Sequence, residues 1–116
     1  MTKREQPGSD DMLFKIKADF LRALSHPLRL KIIENLKHRE SNVGQLGKVL
    51  GVHQSTLSKH LTGLREMGIL QARQEGTTVF YAITDQDLFL VLRPISELLR
   101  KKFKRSNNLL NKLAKG

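Results

Sequence analysis

Between Val52 and Leu70 the chain reads VHQSTLSKHLTGLREMGIL, with Leu57, Leu61 and Leu64 at the i, i+4, i+7 spacing of one helix face. That face is expected to pack into a core. The opposite side is Ser55, Lys59 and Thr62, with Ser58 at one edge and Thr56 and Gly63 at the other. It is small, hydroxyl-rich and carries one cation. Just upstream, residues 43–50 (VGQLGKVL) predict a short helix with Leu46, Val49 and Leu50 facing inward. Asn42 and Gln45 form a capping-box-like start to it, and Gly51 can supply a sharp turn at its end. After Gly68-Ile69-Leu70, residues 71–83 alternate as strand, a turn centred on Gly76, and strand.

Residues 1–10 are polar, contain Pro7-Gly8-Ser9, and are expected to be a disordered lead-in. From Asp11 the positions Leu13, Ile16, Phe20, Leu21 and Leu24 have helical spacing, with Ser9 and the two aspartates marking a start. Ser25-His26-Pro27 interrupts that helix, because proline lacks a donor yet suits the first turn of the next one. A second helix is expected from Pro27 to His38, burying Leu28, Ile32, Ile33 and Leu36, with His26 at its cap. Beyond Thr84, Asp85-Gln86-Asp87 is expected to open a last helix. Its stripe is Leu88, Val91, Leu92, Ile95, Leu98, Leu99 and Phe103, continued by Leu109, Leu110 and Leu113. Pro94 predicts a kink or break near Leu92 to Arg93.

Helix, glycine turn and polar-faced helix make a helix-turn-helix, whose second helix enters the DNA major groove, and a hairpin directly after it is a wing. Sequence readout is expected mainly from Gln54, Ser55, Ser58 and Lys59, since Gln pairs with adenine, Ser suits several bases and Lys suits guanine or phosphate. Thr56 and Thr62 are placed for phosphates. In the wing, Arg73 and the backbone around Gly76 are candidates for the neighbouring groove or sugar-phosphate chain, with Thr77 and Thr78 secondary candidates. Tyr81 is expected to pack at the wing base.

The segments 21–36 (LRALSHPLRLKIIENL), 43–70 and VFYAI at 79–83 resemble the ArsR/SmtB type of bacterial winged-helix regulators, the arsenic-repressor family, over about positions 20–84. The Pro27–Arg29–Leu30 step, the Gln54–Ser58 opening and Leu61, Leu64-Arg65 and Gly68-Ile69-Leu70 carry the likeness. It implies a mainly α fold of four helices, a small β-hairpin and a last helix, dimeric through its terminal helices. Leu13, Ile16 and Phe20 of the first helix and Leu88, Leu92, Ile95 and Leu99 of the last are the candidate dimer interface, packing within the monomer being the alternative. The family usually has a small residue where Gly47 stands, a mid-helix glycine that costs roughly 1 kcal/mol against alanine and marks a close helix contact. His53 stands where the family often has a capping serine, so either the helix starts later, on Ser55, or His53 reaches a phosphate. The family commonly has histidine at His60, which either touches the DNA backbone or is packed and hydrogen-bonded.

The winged-helix domain is therefore expected over 11–105, with 106–116 a basic extension of the last helix or a tail. Lys and Arg number 21 against 11 acids, a net charge of +10 that favours a polyanionic partner. The family's inducer sensing needs ligands that are absent here: no cysteine occurs, Val43, Gly44, Gln45 and Leu46 replace the paired cysteines, and the last helix has carboxylates but no histidine. No metal site, cofactor or thiol switch is expected, which leaves an unknown small-molecule or protein effector as the open possibility. No apolar run approaches a membrane span and the N-terminus lacks a signal-peptide core, so the expected location is the cytoplasm. Nothing has catalytic spacing. The expectation is a dimeric, sequence-specific double-stranded DNA-binding transcriptional repressor acting on an inverted repeat. A non-specific architectural protein, or a protein-interaction module using the last helix, are the alternatives.

Overall fold

The computed structural model describes residues 8–115, so most of the expected disordered lead-in lies outside the described residues. The elements follow in the order α1 (Ser9–Leu24), α2 (Pro27–Asn35), β1 (Ser41–Asn42), α3 (Val43–Leu50), α4 (Gln54–Glu66), β2 (Leu70–Glu75), β3 (Thr78–Ile83) and α5 (Leu88–Lys115). The chain divides into two compact units, one ending at Thr84 and the other starting at Asp85.

In the first unit α4 is the hub, packing against α1, α2, α3 and β2. Leu57, Leu61 and Leu64 are wholly buried, as their spacing predicts, together with Ile32 and Ile33 of α2. Each such side chain contributes about 1.5–3 kcal/mol by leaving water. The helix starts follow local chemistry. The Nδ1 of His26 accepts from Leu28 N–H at 3.1 Å, capping α2, with Pro27 as its first residue. At α3 the box is complete: Asn42 Oδ1 accepts from Gln45 N–H at 2.8 Å, and Gln45 Oε1 from Asn42 N–H at 2.9 Å.

Several expectations change. Ser9 and Asp10 are helical, since the chain enters α1 at Ser9 with acids in the favourable first turn. Asn35, not His38, ends α2, because Leu36 turns inward at the C-cap and is buried. Val49 is 68 % exposed rather than inward, as only Leu46 of that short helix reaches the core. The close contact at Gly47 is with the turn as well as with α4: an added Cβ would lie 3.0 Å from Val52 O and 3.7 Å from Leu57 Cδ1. Ser41 and Asn42 form an extra strand, so the sheet has three strands in the order β1-β3-β2, with Ser41 opposite Tyr81 and Asn42 opposite Phe80. The hairpin pairs Leu70 with Ile83 through to Glu75 with Thr78. Its two-residue loop has Gly76 first, at φ 64, followed by Thr77, which is not at positive φ, the pattern of a type II′ turn.

In the second unit a tight turn precedes the helix. Asp85 Oδ1 accepts from Asp87 N–H at 2.9 Å, so the aspartates cap that turn and α5 begins at Leu88 instead of among them. Pro94 lies inside α5 and does not break it. One missing donor and one ring clash cost about 3 kcal/mol, which a helix of 28 residues tolerates. Leu88 and Phe89 are buried, whereas Leu90, Val91, Ile95, Leu98, Leu99, Phe103, Leu109, Leu110 and Leu113 are 45–69 % exposed.

Candidate nucleic-acid interface

Gly51 ends α3 in the left-handed conformation (φ 67, ψ 38), and the N–H groups of both Gly51 and Val52 return to Gly47 O at 2.8 and 3.1 Å. Three residues, Gly51, Val52 and His53, then separate α3 from α4. That is the turn length of a helix-turn-helix. His53 is the N-cap of α4 but makes no side-chain cap hydrogen bond, and the helix starts at Gln54, so the later start on Ser55 does not occur.

With the leucines of α4 turned inward, Gln54, Ser55, Thr56, Ser58, Lys59 and Thr62 all stand exposed on its outer side. The sheet brings the wing beside them. Gln54 and Ser58 share an open groove of about 470 Å³ with Thr77, Thr78, Val79 and Tyr81, floored by residues 42–44. Gly76 and Thr77 are exposed at the wing tip, where Gln74 Nε2 donates to Gly76 O at 3.2 Å. Tyr81 is half-buried in β3, consistent with packing at the wing base.

Two candidates are already engaged. Arg73 donates from Nε to Glu40 Oε2 at 3.3 Å and from Nη1 to Glu75 Oε2 at 3.1 Å, while its guanidinium lies 4.8 Å from the Phe80 ring centroid. Glu40, then Glu75, raise the Arg73 pKa further, and Arg73 holds the Glu40 carboxyl below its ordinary value. All three groups are solvent-exposed, so the pairing is screened and weak. His60 is half-buried and its Nδ1 accepts from Arg29 Nε at 3.1 Å, while its ring lies 4.3 Å from that of His26. Of its two expected roles, the packed, hydrogen-bonded one accounts for this geometry. Burial first, then the charges of His26 and Arg29, push its pKa below the ordinary imidazole value.

Arg29 and Glu40 were not legible as site residues. Each acts on a residue more than thirty positions away, at 31 and 33 respectively, and no local pattern announces such a pairing. Among the dimer candidates Leu13, Ile16, Ile95 and Leu99 are 45–58 % exposed. Phe20 and Leu92 are half-buried, and Leu88 is already buried in the single chain, leaving little of it for a partner. No helix among the described residues is long and apolar enough to cross a membrane.

A glycine-turned helix pair with a polar outer helix and an adjoining hairpin is a winged helix-turn-helix. The model of bacterial regulatory proteins of the arsR family matches residues 26–72. The chain is 36% identical over 90 residues to the uncharacterized HTH-type transcriptional regulator Rv0081 of Mycobacterium tuberculosis, covering 77% of this chain and 79% of that protein. It is 35% identical over 82 residues to the transcriptional repressor PagR of Bacillus anthracis, covering 67% and 82%. The crystal structure of Rv0081 superposes with a TM-score of 0.72 at 34% identity, over 80% of this chain and 94% of that one. The solution structure of the homodimeric winged helix-turn-helix DNA-binding domain of Mb0332 from Mycobacterium bovis gives 0.75 at 25% identity, over 87% and 94%. The protein belongs to the arsR family of bacterial transcriptional regulators.

Proposed function

We propose that the protein is a cytoplasmic repressor that binds an inverted repeat in double-stranded DNA as a homodimer and occludes a promoter. The observation that carries this reading is the exposed outer face of α4, polar along its length and continuous with the wing through the Gln54–Ser58–Thr77 groove. Gln54, Ser55, Ser58 and Lys59 read base edges, and Thr56, Thr62, Gly76 and Thr77 hold phosphates and sugars. Arg73 joins them only when DNA displaces Glu40 or Glu75. The apolar positions left open on α1 (Leu13, Ile16) and on α5 (Ile95, Leu99) form the two-fold contact, with half-sites about 34–36 Å apart. The role is binding rather than catalysis. Without cysteine, any inducer acts by means other than thiolate ligation.

Selection of bound DNA from a random pool tests this, followed by binding of the best sequence and a scrambled control at several salt concentrations. Enrichment of a palindrome is expected, with Lys59→Ala weakening binding and relaxing selectivity at the base it meets. Equal affinity for every sequence would instead favour a non-specific architectural role. Transcription from a promoter carrying the selected site is expected to fall when the protein is added. A rise would reverse the sign of regulation.

A further inference from the structure

Arg29 joins three elements along one flank of α4. Its Nη1 donates to Ala23 O near the end of α1 at 3.0 Å, and its Nε donates to His60 of α4 at 3.1 Å. The guanidinium lies so close over Gly63 that an added Cβ there would be 2.5 Å from Nη2. A side chain at position 63 therefore requires the guanidinium to swing aside. His26, which caps α2 through Nδ1, completes the cluster by lying 4.3 Å from His60, ring centroid to ring centroid. The helix that carries the DNA-facing residues is thus anchored to α1 and α2 through one side chain and two imidazoles.

We propose that Arg29 is a positioning residue that sets α4 for DNA, and that protonation of His60 breaks its bond to Arg29, releases α4 and weakens DNA binding in mild acid. This rests on the reading of α4 as the recognition helix. Both histidines use Nδ1 as an acceptor, so both must be neutral with the proton on Nε2. A proton on either Nδ1 sets a donor against a donor and adds a cation beside a guanidinium that does not titrate.

The other charges around the cluster do not offset this. Asp19 and Arg22 of α1 line the cleft with His26 and Arg29, but they pair with each other at 2.7 Å, and Asp19 is also held by Lys15 at 2.9 Å. Those partners lower the Asp19 pKa, so it stays ionised and already neutralised through mild acid. Lys59, the neighbour of His60 on α4, is exposed. The sign follows. A histidine whose folded pKa is depressed stabilises the fold above its unfolded pKa, near 6.5, and that contribution is lost as pH falls through the folded value.

The experiment measures affinity for the selected DNA between about pH 7.5 and 5.5 at constant salt. It compares the wild type with His60→Gln, His26→Asn and Gly63→Ala. Wild-type affinity is expected to fall severalfold across this range. His60→Gln keeps an acceptor for Arg29 that does not titrate, so its profile is flat relative to its own value at neutral pH. His26→Asn keeps the cap while removing the second imidazole of the cluster, and its affinity still falls in acid because His60 remains.

Gly63→Ala separates positioning from plain stability. Its methyl pushes the guanidinium off its contacts while alanine improves the propensity of α4, so affinity and pH response fall by more than any change in unfolding temperature accounts for. Equal pH profiles for wild type and His60→Gln, or an unchanged profile and affinity in Gly63→Ala, would overturn the proposal. If no protein binds any DNA at neutral pH, the DNA-binding reading fails, and the positioning role with it. Histidine ring NMR of the free protein then still decides the clamp: an Nε2–H tautomer at His60 that titrates below the ordinary value supports it, and an Nδ1–H tautomer removes it.

Discussion

His53 shows how one residue can be right for one task and poor for another. It occupies the N-cap of α4 without giving a side-chain acceptor to the first-turn amides. Serine in that place supplies the missing hydrogen bond, worth about 1 kcal/mol at a typical cap. Denaturant unfolding of His53→Ser is expected to show that gain. A protein that is more stable yet binds DNA less tightly would place His53 against a phosphate. The family likeness marked the position as a departure, but only the backbone placed the helix start at Gln54. The second histidine of α4 went the other way. Its sequence neighbours left His60 between a DNA contact and a packed role, and Arg29, distant in the chain, supplies the partner that accounts for its burial.

At the scale of elements, the wing is tied to the segment before β1 by the contact of Arg73 with Glu40. This restrains the one wing arginine that could follow DNA. Because the pair is exposed, Glu40→Gln is expected to leave the unfolding temperature unchanged and to tighten DNA binding most at low salt, by freeing the guanidinium for phosphate. No change in affinity at any salt concentration would show that Arg73 stays on Glu75 or Phe80 in the complex. The hairpin itself was legible from its alternation and from Gly76, whereas β1 was not. Two residues carry no period, and Ser41 and Asn42 become a strand only because β3 offers them an unpaired edge. The last helix was legible along its whole apolar stripe. Pro94, where a kink or a break was expected, lies inside a continuous α5, since a single lost bond is minor beside the rest of the helix.

For the whole molecule, the exposed apolar side chains of α1 and α5 are far more than scattered surface residues. Met12, Leu13, Phe14, Ile16 and Leu21 open along α1, and Ile95, Leu99 and Phe103 along α5. Leu99→Asp is expected to convert the dimer into a folded monomer in sedimentation, with binding to the inverted repeat lost and half-site binding weak. A dimer of unchanged stability would move the contact elsewhere. The strong positive balance of the chain contributes attraction to DNA, and its share should shrink as salt screens it.

The order of the helices, the position of the hairpin, the inward leucines of α4 and the polar face opposite them were determined by sequence alone. These are local properties, set by helical and strand periods, caps and turn glycines. Which polar residues remain free for DNA was decided by the tertiary structure. It drew His60 onto Arg29, Arg73 onto Glu40, and Thr77 beside Gln54 and Ser58. Each of those pairings joins residues separated along the chain, and a side chain's partners depend on distance in space, which no local pattern encodes.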